Sequence, residues 1–343
     1  MSHEYRDKID IRSNEIIDEL LNGMPEFMED FHSNLLARKR STNTIKSYLY
    51  EVNVYLRFVA STVVHKEKIT DLEVSDLEKV RQTQLERYVA KSEDGSELTA
   101  NAMRRKLSVL KSLYKYFIGI GYITKNPTQL LEGAKLTKKS VITLNDIQVK
   151  ALLNCIQNQE GLTEHSKAYN TRMVSRDLAI VMVLLGTGMR ISELVGLNIS
   201  DFDTLDPKRA AFHIIRKGGD DDVVYCTESV KNAVMDYIEF SRPLLNPSDS
   251  ENALFLSVRG DRCGVSTIEK MMKKYCKAAG LPDNISPHKM RATFATKVYS
   301  KTKDIYAVKD SLHHKSIDTS KNYISDEQER KAKAADAVSD FFE

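Results

Sequence analysis

The sequence predicts a mainly α protein (α+β) with two globular domains. The first is all helical, and the second is mostly helical with a small antiparallel β element. Three observations predict this. Apolar residues recur at three and four positions through most of the chain. A basic connector breaks that pattern near residue 138. The stretch 210–226 alternates as strands do, around a glycine-containing turn. A chain of 343 residues is long enough for two cores, and 41% hydrophobic with 29% charged residues is the balance of a folded chain rather than a disordered one.

Residues 1–23 are polar and read as an N-terminal extension without an assigned role. A helical domain is expected over 24–137. It opens with Met24, Phe27, Met28, Phe31 and Leu35 at helical spacing, followed by the basic run Ala37-Arg38-Lys39-Arg40. Ser41-Thr42-Asn43-Thr44 supplies N-cap residues for a second helix, which carries Ile45, Tyr48, Leu49, Val52 and Leu56 on one face. A third helix is expected over 76–91. A fourth runs from Thr99 to Ile118 and carries Arg104, Arg105, Lys106, Lys111 and Lys115. Arg38, Lys39, Arg40, Thr44, Lys46, Arg104, Arg105 and Lys111 are candidate phosphate contacts, joined by Lys138 and Lys139 of the connector. A solvated helix surface and an ordinary linker account for the same residues. Net charge is only +3, so overall charge alone points to no nucleic acid.

The second domain is expected over 138–325. Thr143-Leu144-Asn145-Asp146 has the pattern of a capping box. Leu178 to Gly186 is apolar all round and reads as a core helix, since crossing a bilayer takes about 20 such residues. Ala210 to Arg216 and Val223 to Cys226 form a hairpin around Lys217-Gly218-Gly219-Asp220-Asp221-Asp222. The four cysteines form no C-x-x-C pair and the N-terminus has no signal-peptide pattern; together these fit a cytoplasmic protein without a membrane anchor. A tail helix over 326–343 carries Ala334, Ala337, Val338, Phe341 and Phe342 on one side.

The polar residues with chemistry to offer fall in a fixed order. Arg190 follows Gly186-Thr187-Gly188, where a turn after a buried helix can present a fixed guanidinium. His288 and Arg291 share a helix face, with Ser286 and Pro287 suited to the N-cap and first turn. Two rigid arginines can grip the non-bridging oxygens of one phosphodiester and stabilise charge that develops there. Tyr323 is the candidate nucleophile, its phenol needing nearby positive charge to ionise. Singly, each residue has an ordinary role: Tyr323 as packing, His288 as a helix cap, Lys217 as turn chemistry, Glu193 as a cap or ion-pair partner of Arg190.

The ordered set Arg190, Lys217, His288-x-x-Arg291, His314, Tyr323 resembles the catalytic signature of the tyrosine recombinases, the phage-integrase or Xer-like family. The likeness is strong over 143–324 and weaker over 24–125. It implies an all-α SAM-like core-binding domain and a tyrosine recombinase catalytic fold that together encircle DNA. It implies a site-specific recombinase working through a 3′-phosphotyrosyl link and a Holliday junction, with no cofactor, metal or ATP. In that family Lys217 takes the general-acid position, and His288 and His314 the proton-handling and phosphate-binding ones. The implied partner is double-stranded DNA with an inverted-repeat site, bound by a homodimer and synapsed by a homotetramer; an accessory protein is compatible. The tail would dock on a neighbouring protomer or on its own domain. Three departures stand out: Ala292 after the second arginine, His313 in place of glycine, and three aspartates beside Lys217. A type IB topoisomerase would share the chemistry, and a non-catalytic DNA-binding regulator would share the scaffold.

Overall fold

The computed structural model describes residues 3–135, 141–206, 209–216, 219–246, 251–313 and 316–317. Two compact units emerge, residues 7–138 and residues 1–6 with 139–343, each with its own apolar core.

Helix α1 (His3–Asn22) occupies the polar N-terminal stretch, and its residues from Asp7 onward fall in the first unit. Ile17, Leu20 and Leu21 lie at i, i+3 and i+4, enough for a narrow apolar stripe that packs on the core. Helix α2 (Met28–Ala37) starts later than the spacing from Met24 suggests, after a turn at Pro25 whose carbonyl accepts from the Met28 N–H. Helix α3 (Thr42–Phe58) follows extended Ser41, as expected of an N-cap position, and widens into a π-type turn over Val59–Val64. The helix expected over 76–91 is broken. Val74–Lys79 forms a 3₁₀ turn, Val80 and Arg81 are extended, and helix α4 covers Gln82–Ala90. Each piece has its own start: Asp76 closes a capping box on the Glu73 N–H (2.9 Å) and pairs with Lys66 (2.8 Å) and Lys79 (2.8 Å), and Gln84 accepts from the Arg81 N–H (3.0 Å) to open α4. Helix α5 (Ala100–Gly119) is capped by Thr99, which accepts from the Ala102 N–H. Its Tyr114 hydroxyl donates to the Leu77 carbonyl (2.9 Å) and meets that of Tyr55 on α3 (2.6 Å), so these fully buried phenols are satisfied.

Asp76 gives a measurable acid linkage. Burial pushes its carboxyl up, but the hydrogen bonds from Lys66, Lys79 and Glu73 outweigh burial and bring its pKa down to about 2. A carboxyl depressed by folding stabilises fully above its unfolded value of about 4 and loses that contribution as pH falls towards 2. Asp76→Asn is expected to cost about 2 kcal/mol at pH 7, with the gap narrowing steadily below pH 4. Urea unfolding across that range checks it, and a gap independent of pH sinks the assignment.

The second unit begins with α6 (Asp146–Asn158), α7 (Glu164–Asn170), α8 (Val174–Thr187) and α9 (Ile191–Val195). Asn145 caps α6, accepting from the Gln148 N–H while Gln148 accepts from its own, as the capping-box pattern implies. Strands β1 (Phe202–Asp203), β2 (Ala211–Ile215) and β3 (Asp221–Tyr225) make one antiparallel sheet in that order. The hairpin is as expected, except that β3 starts two residues earlier and the short edge strand β1 joins it. Helices α10 (Glu228–Asp236), α11 (Arg242–Leu245), α12 (Val265–Ala278), α13 (Pro287–Thr302) and α14 (Ile305–Leu312) complete the described part.

Helix α8 is the centre of this core, with Ala179, Ile180, Val181, Val183 and Leu184 at most 1% exposed. Its buried Arg176 and Asp177 are paired (2.6 Å), and Arg176 also reaches the Leu256 carbonyl and Asp177 the Tyr275 hydroxyl. Buried charges persist only when partnered in this way. All four cysteines are free, and no helix among the described residues is long and apolar enough to cross a membrane.

Candidate active site

Helix α8 ends at Gly188 in the left-handed conformation (φ +64°), and the chain turns straight into Met189, which is buried, and Arg190. Arg190 is extended and stands at the N-cap of α9. Glu193, almost wholly buried, holds it twice: Oε2 accepts from the Arg190 N–H (2.7 Å) and Oε1 from the guanidinium Nη1 (2.9 Å). This leaves the Arg190 side chain 30% exposed with its direction fixed.

Arg291 approaches the same turn from α13. Extended Ser286 and Pro287 start that helix as the sequence suggests, with His288 exposed in its first turn. Arg291 is 4% exposed; its Nη1 donates to the Gly188 carbonyl (2.5 Å) and its Nη2 to the Leu312 carbonyl (2.6 Å). One guanidinium therefore joins the turn leading to Arg190 with the end of α14. The two arginines meet through backbone carbonyls, which sequence spacing does not reveal.

The hairpin contributes Arg216, which follows β2. Its Nη1 donates to Glu193 (3.0 Å) and its Nη2 pairs with Asp222 (2.6 Å). Of the three aspartates beside Lys217, Asp220 and Asp221 are exposed, whereas Asp222 turns inward and is neutralised by Arg216. Strand alternation explains the difference. Asp222 faces Ile214 across the ladder, so it shares the inner face with Ile214 and Arg216. Arg216 and Asp222 are the site residues that the sequence reading missed; the alternation of Phe212, Ile214 and Arg216 was the available signal.

His313 ends α14 in the left-handed conformation (φ +49°). Its Nδ1 lies 3.1 Å from Asp222 Oδ2 and 3.3 Å from Arg216 Nη2. Lys217, His314 and Tyr323 lie outside the described residues, as do the tail over 326–343 and the connector lysines Lys138 and Lys139.

In the first unit the candidate phosphate contacts divide. Arg38, Lys39 and Arg40 are exposed between α2 and α3, Lys39 at φ +51°. Arg105 on α5 reaches Ser47 on α3, and Arg104 lies beside it in sequence, also exposed. Lys46 donates to Ser13 of α1 (3.2 Å), Thr44 meets Ser41 (2.8 Å), and Lys111 reaches the Leu131 carbonyl (2.6 Å). Lys106 leaves the basic face altogether. It is buried, donates to the carbonyls of Tyr88 and Lys91, and sits 3.7 Å from the Tyr88 ring centroid; burial pushes its ammonium pKa down.

Comparison with known proteins gives the family and the fold. Residues 142–330 match the Phage integrase family, and residues 28–119 match the Phage integrase, N-terminal SAM-like domain. The tyrosine recombinase XerC of Caldanaerobacter subterraneus subsp. tengcongensis is 32% identical, covering 90% of this chain and 86% of its own. XerS of Streptococcus pneumoniae is 30% identical, covering 92% of this chain and 96% of its own. The crystal structure of the XerH site-specific recombinase bound to palindromic difH substrate, a post-cleavage complex, has the same fold at 19% identity. It superposes with a TM-score of 0.69 over 94% of this chain and 88% of that one. With a family match over more than half of its length and a XerC relative 32% identical across nine-tenths of it, the chain belongs to the phage integrase family and is a tyrosine-type site-specific recombinase.

Proposed function

We propose that the chain cuts and rejoins double-stranded DNA through Tyr323, with Arg190, Lys217, His288, Arg291 and His314 as its catalytic partners. The observation that carries this reading is the convergence of Arg190 and Arg291 on one turn, each held by fixed acceptors. In the proposed step the Tyr323 oxygen attacks the scissile phosphorus and passes its proton to His288. The bond from phosphorus to the deoxyribose 5′ oxygen breaks, and that oxygen takes up a proton from Lys217 as it leaves. A 3′-phosphotyrosyl link remains, and attack by a 5′-hydroxyl from the other duplex reverses it. Bond energy is conserved in the link, so ATP has no role.

Arg190 and Arg291 stabilise charge on the two non-bridging oxygens where it grows, and their anchoring means that little reorganisation accompanies the step. A guanidinium has five N–H donors, so Arg291 can keep its two carbonyl anchors while it serves a phosphate. His288, exposed in the first turn of α13, stands where backbone N–H groups point outward and favour an anion. No metal is part of this scheme, since the cationic side chains neutralise the phosphate.

The exposed basic residues Arg38, Lys39, Arg40, Arg104 and Arg105 are the phosphate contacts of the first unit, with Lys138 and Lys139 in the connector. Lys46, Thr44 and Lys111 serve the same face while tied to their internal partners. The palindromic substrate of XerH supports a homodimer on inverted half-sites here, and strand exchange between two such sites takes a homotetramer. The tail over 326–343 is the candidate link between protomers.

Covalent trapping tests the reading. Wild-type protein and Tyr323→Phe are incubated with fragments tiled across the DNA flanking the gene, with excess chelator and no ATP, then resolved on a denaturing gel. A slow-migrating adduct from the wild type alone is the expected result, and sequencing its ends gives the site. An adduct that survives Tyr323→Phe, or depends on a divalent metal, overturns the mechanism.

A further inference from the structure

The side chains around the two arginines close into a ring. Arg190 is held by Glu193 (2.9 Å), Glu193 by Arg216 (3.0 Å), Arg216 by Asp222 (2.6 Å), and Asp222 by His313 (3.1 Å). His313 follows Leu312, whose carbonyl accepts from Arg291, and Arg291 returns to the carbonyl of Gly188, just before Met189 and Arg190. The ring runs through four segments: the turn into α9, the hairpin, α13 and the end of α14. Two of them lead directly into residues of the proposed chemistry: Arg216 precedes Lys217, and His313 precedes His314.

We propose that Arg216, Asp222 and His313 are positioning residues of the recombination reaction. They set the hairpin leading into Lys217 against the turn leading into His314, and Glu193 passes that setting to Arg190. The proposal rests on the reading of the site given above and adds to it residues that touch no DNA.

Three features support it. First, the middle of the ring is nearly dry: the side chains of Glu193, Arg216 and Asp222 are 3%, 7% and 15% exposed, while Arg190 and His313 at its rim are 30% and 50% exposed. At its middle Arg216 pairs with both buried carboxylates, Glu193 and Asp222, so removing Arg216 leaves two buried carboxylates without that partner. Such a network holds one arrangement and penalises others. Second, Asp222 spends an inward strand position on a charge beside buried Ile214 and Val224, where Arg216 is its ion-pair partner. Third, His313 sits at φ +49°, a backbone state that suits glycine or asparagine and costs other residues roughly 1 kcal/mol or more. Glycine would cap α14 without that cost; the imidazole instead meets Asp222 and Arg216.

The contact does not depend on the charge of the ring nitrogen. A bare Nδ1 accepts from Arg216 Nη2, and a protonated Nδ1 donates to Asp222; Glu193, Arg190 and Arg291 are the other charged groups of the ring. The imidazole therefore latches the hairpin in either state.

The test uses the full chain and the duplex recovered by covalent trapping. His313→Gly is the informative variant, because it removes the latch and relieves the backbone. Expected are a melting temperature at or slightly above that of the wild type and a DNA dissociation constant within about twofold. Single-turnover formation of the adduct should be slower by roughly ten- to a hundredfold, the range that misplacement of a reacting group produces. His313→Asn, which tolerates the left-handed state and can donate to Asp222, should recover most of the rate. Asp222→Asn should resemble His313→Gly in rate, and the double variant should be little worse than either, since both break one ring. A wild-type rate in His313→Gly, or a loss confined to DNA affinity, overturns the proposal and leaves the Tyr323 chemistry standing. No adduct from wild-type protein overturns the Tyr323 chemistry and the proposal together.

Discussion

Arg291→Lys is expected to lower adduct formation by about a thousandfold or more, and also to lower the stability of the second unit by about 3 kcal/mol. The double effect follows from where the guanidinium lies. It is 4% exposed and bonded to the carbonyls of Gly188 and Leu312, so it closes the fold as well as meeting a phosphate in the proposed reaction. Lysine has one nitrogen on a flexible stem and cannot hold two carbonyls and an anion in one plane. Arg190→Lys provides the contrast. That side chain is 30% exposed, and its partner Glu193 keeps Arg216 when Arg190 is gone. The rate should fall by about a hundredfold or more while the unfolding transition stays close to that of the wild type. Single-turnover trapping and urea unfolding on the same preparations separate the two. Equal destabilisation by both substitutions would show that Arg291 has no special part in the fold.

Much of the architecture was legible because it depends on neighbours in sequence. Asn145 with Gln148, Ser286 with Pro287, and the alternation of residues 210–216 each declare an element within a few positions. Where local signals compete, the reading failed. Residues 76–91 carry one helical pattern but two helix starts, one capped at Glu73 by Asp76 and one at Arg81 by Gln84, and the chain is extended between them. Helix α1 was invisible because its apolar stripe is only a few residues wide in a polar segment. The order of Arg190, His288 and Arg291 was readable; how they are held was not. That depends on carbonyls at Gly188 and Leu312 and on Asp222 finding His313 across 90 positions, and no periodicity encodes such partners. Lys106 shows the same limit, since a lysine directly after two exposed arginines reads as surface until helix geometry turns it inward.

Gly188→Ala is expected to cost the second unit about 3 kcal/mol. Two costs add. The residue has φ +64°, where a side chain costs roughly 1–2 kcal/mol. An added Cβ would also lie inside the van der Waals envelope of the Phe294 ring and 2.9 Å from Leu312 Cδ2, so α13 or α14 would have to move, and overpacking of this kind costs about 1–3 kcal/mol. Function should fall further than stability alone requires. The Gly188 carbonyl receives Arg291, and Leu312 supplies the other anchor, so displacing either turn loosens the guanidinium. Gly188→Asn divides the two costs, because asparagine accepts the left-handed backbone yet keeps the offending Cβ. If Asn is nearly as damaging as Ala, crowding against Phe294 and Leu312 dominates, and the rate of adduct formation should fall equally in both. If Asn restores stability, backbone strain dominates and the packing around Arg291 is more yielding than the distances imply. An alanine variant with wild-type stability would contradict both terms, and with them the role of this turn in setting the two arginines.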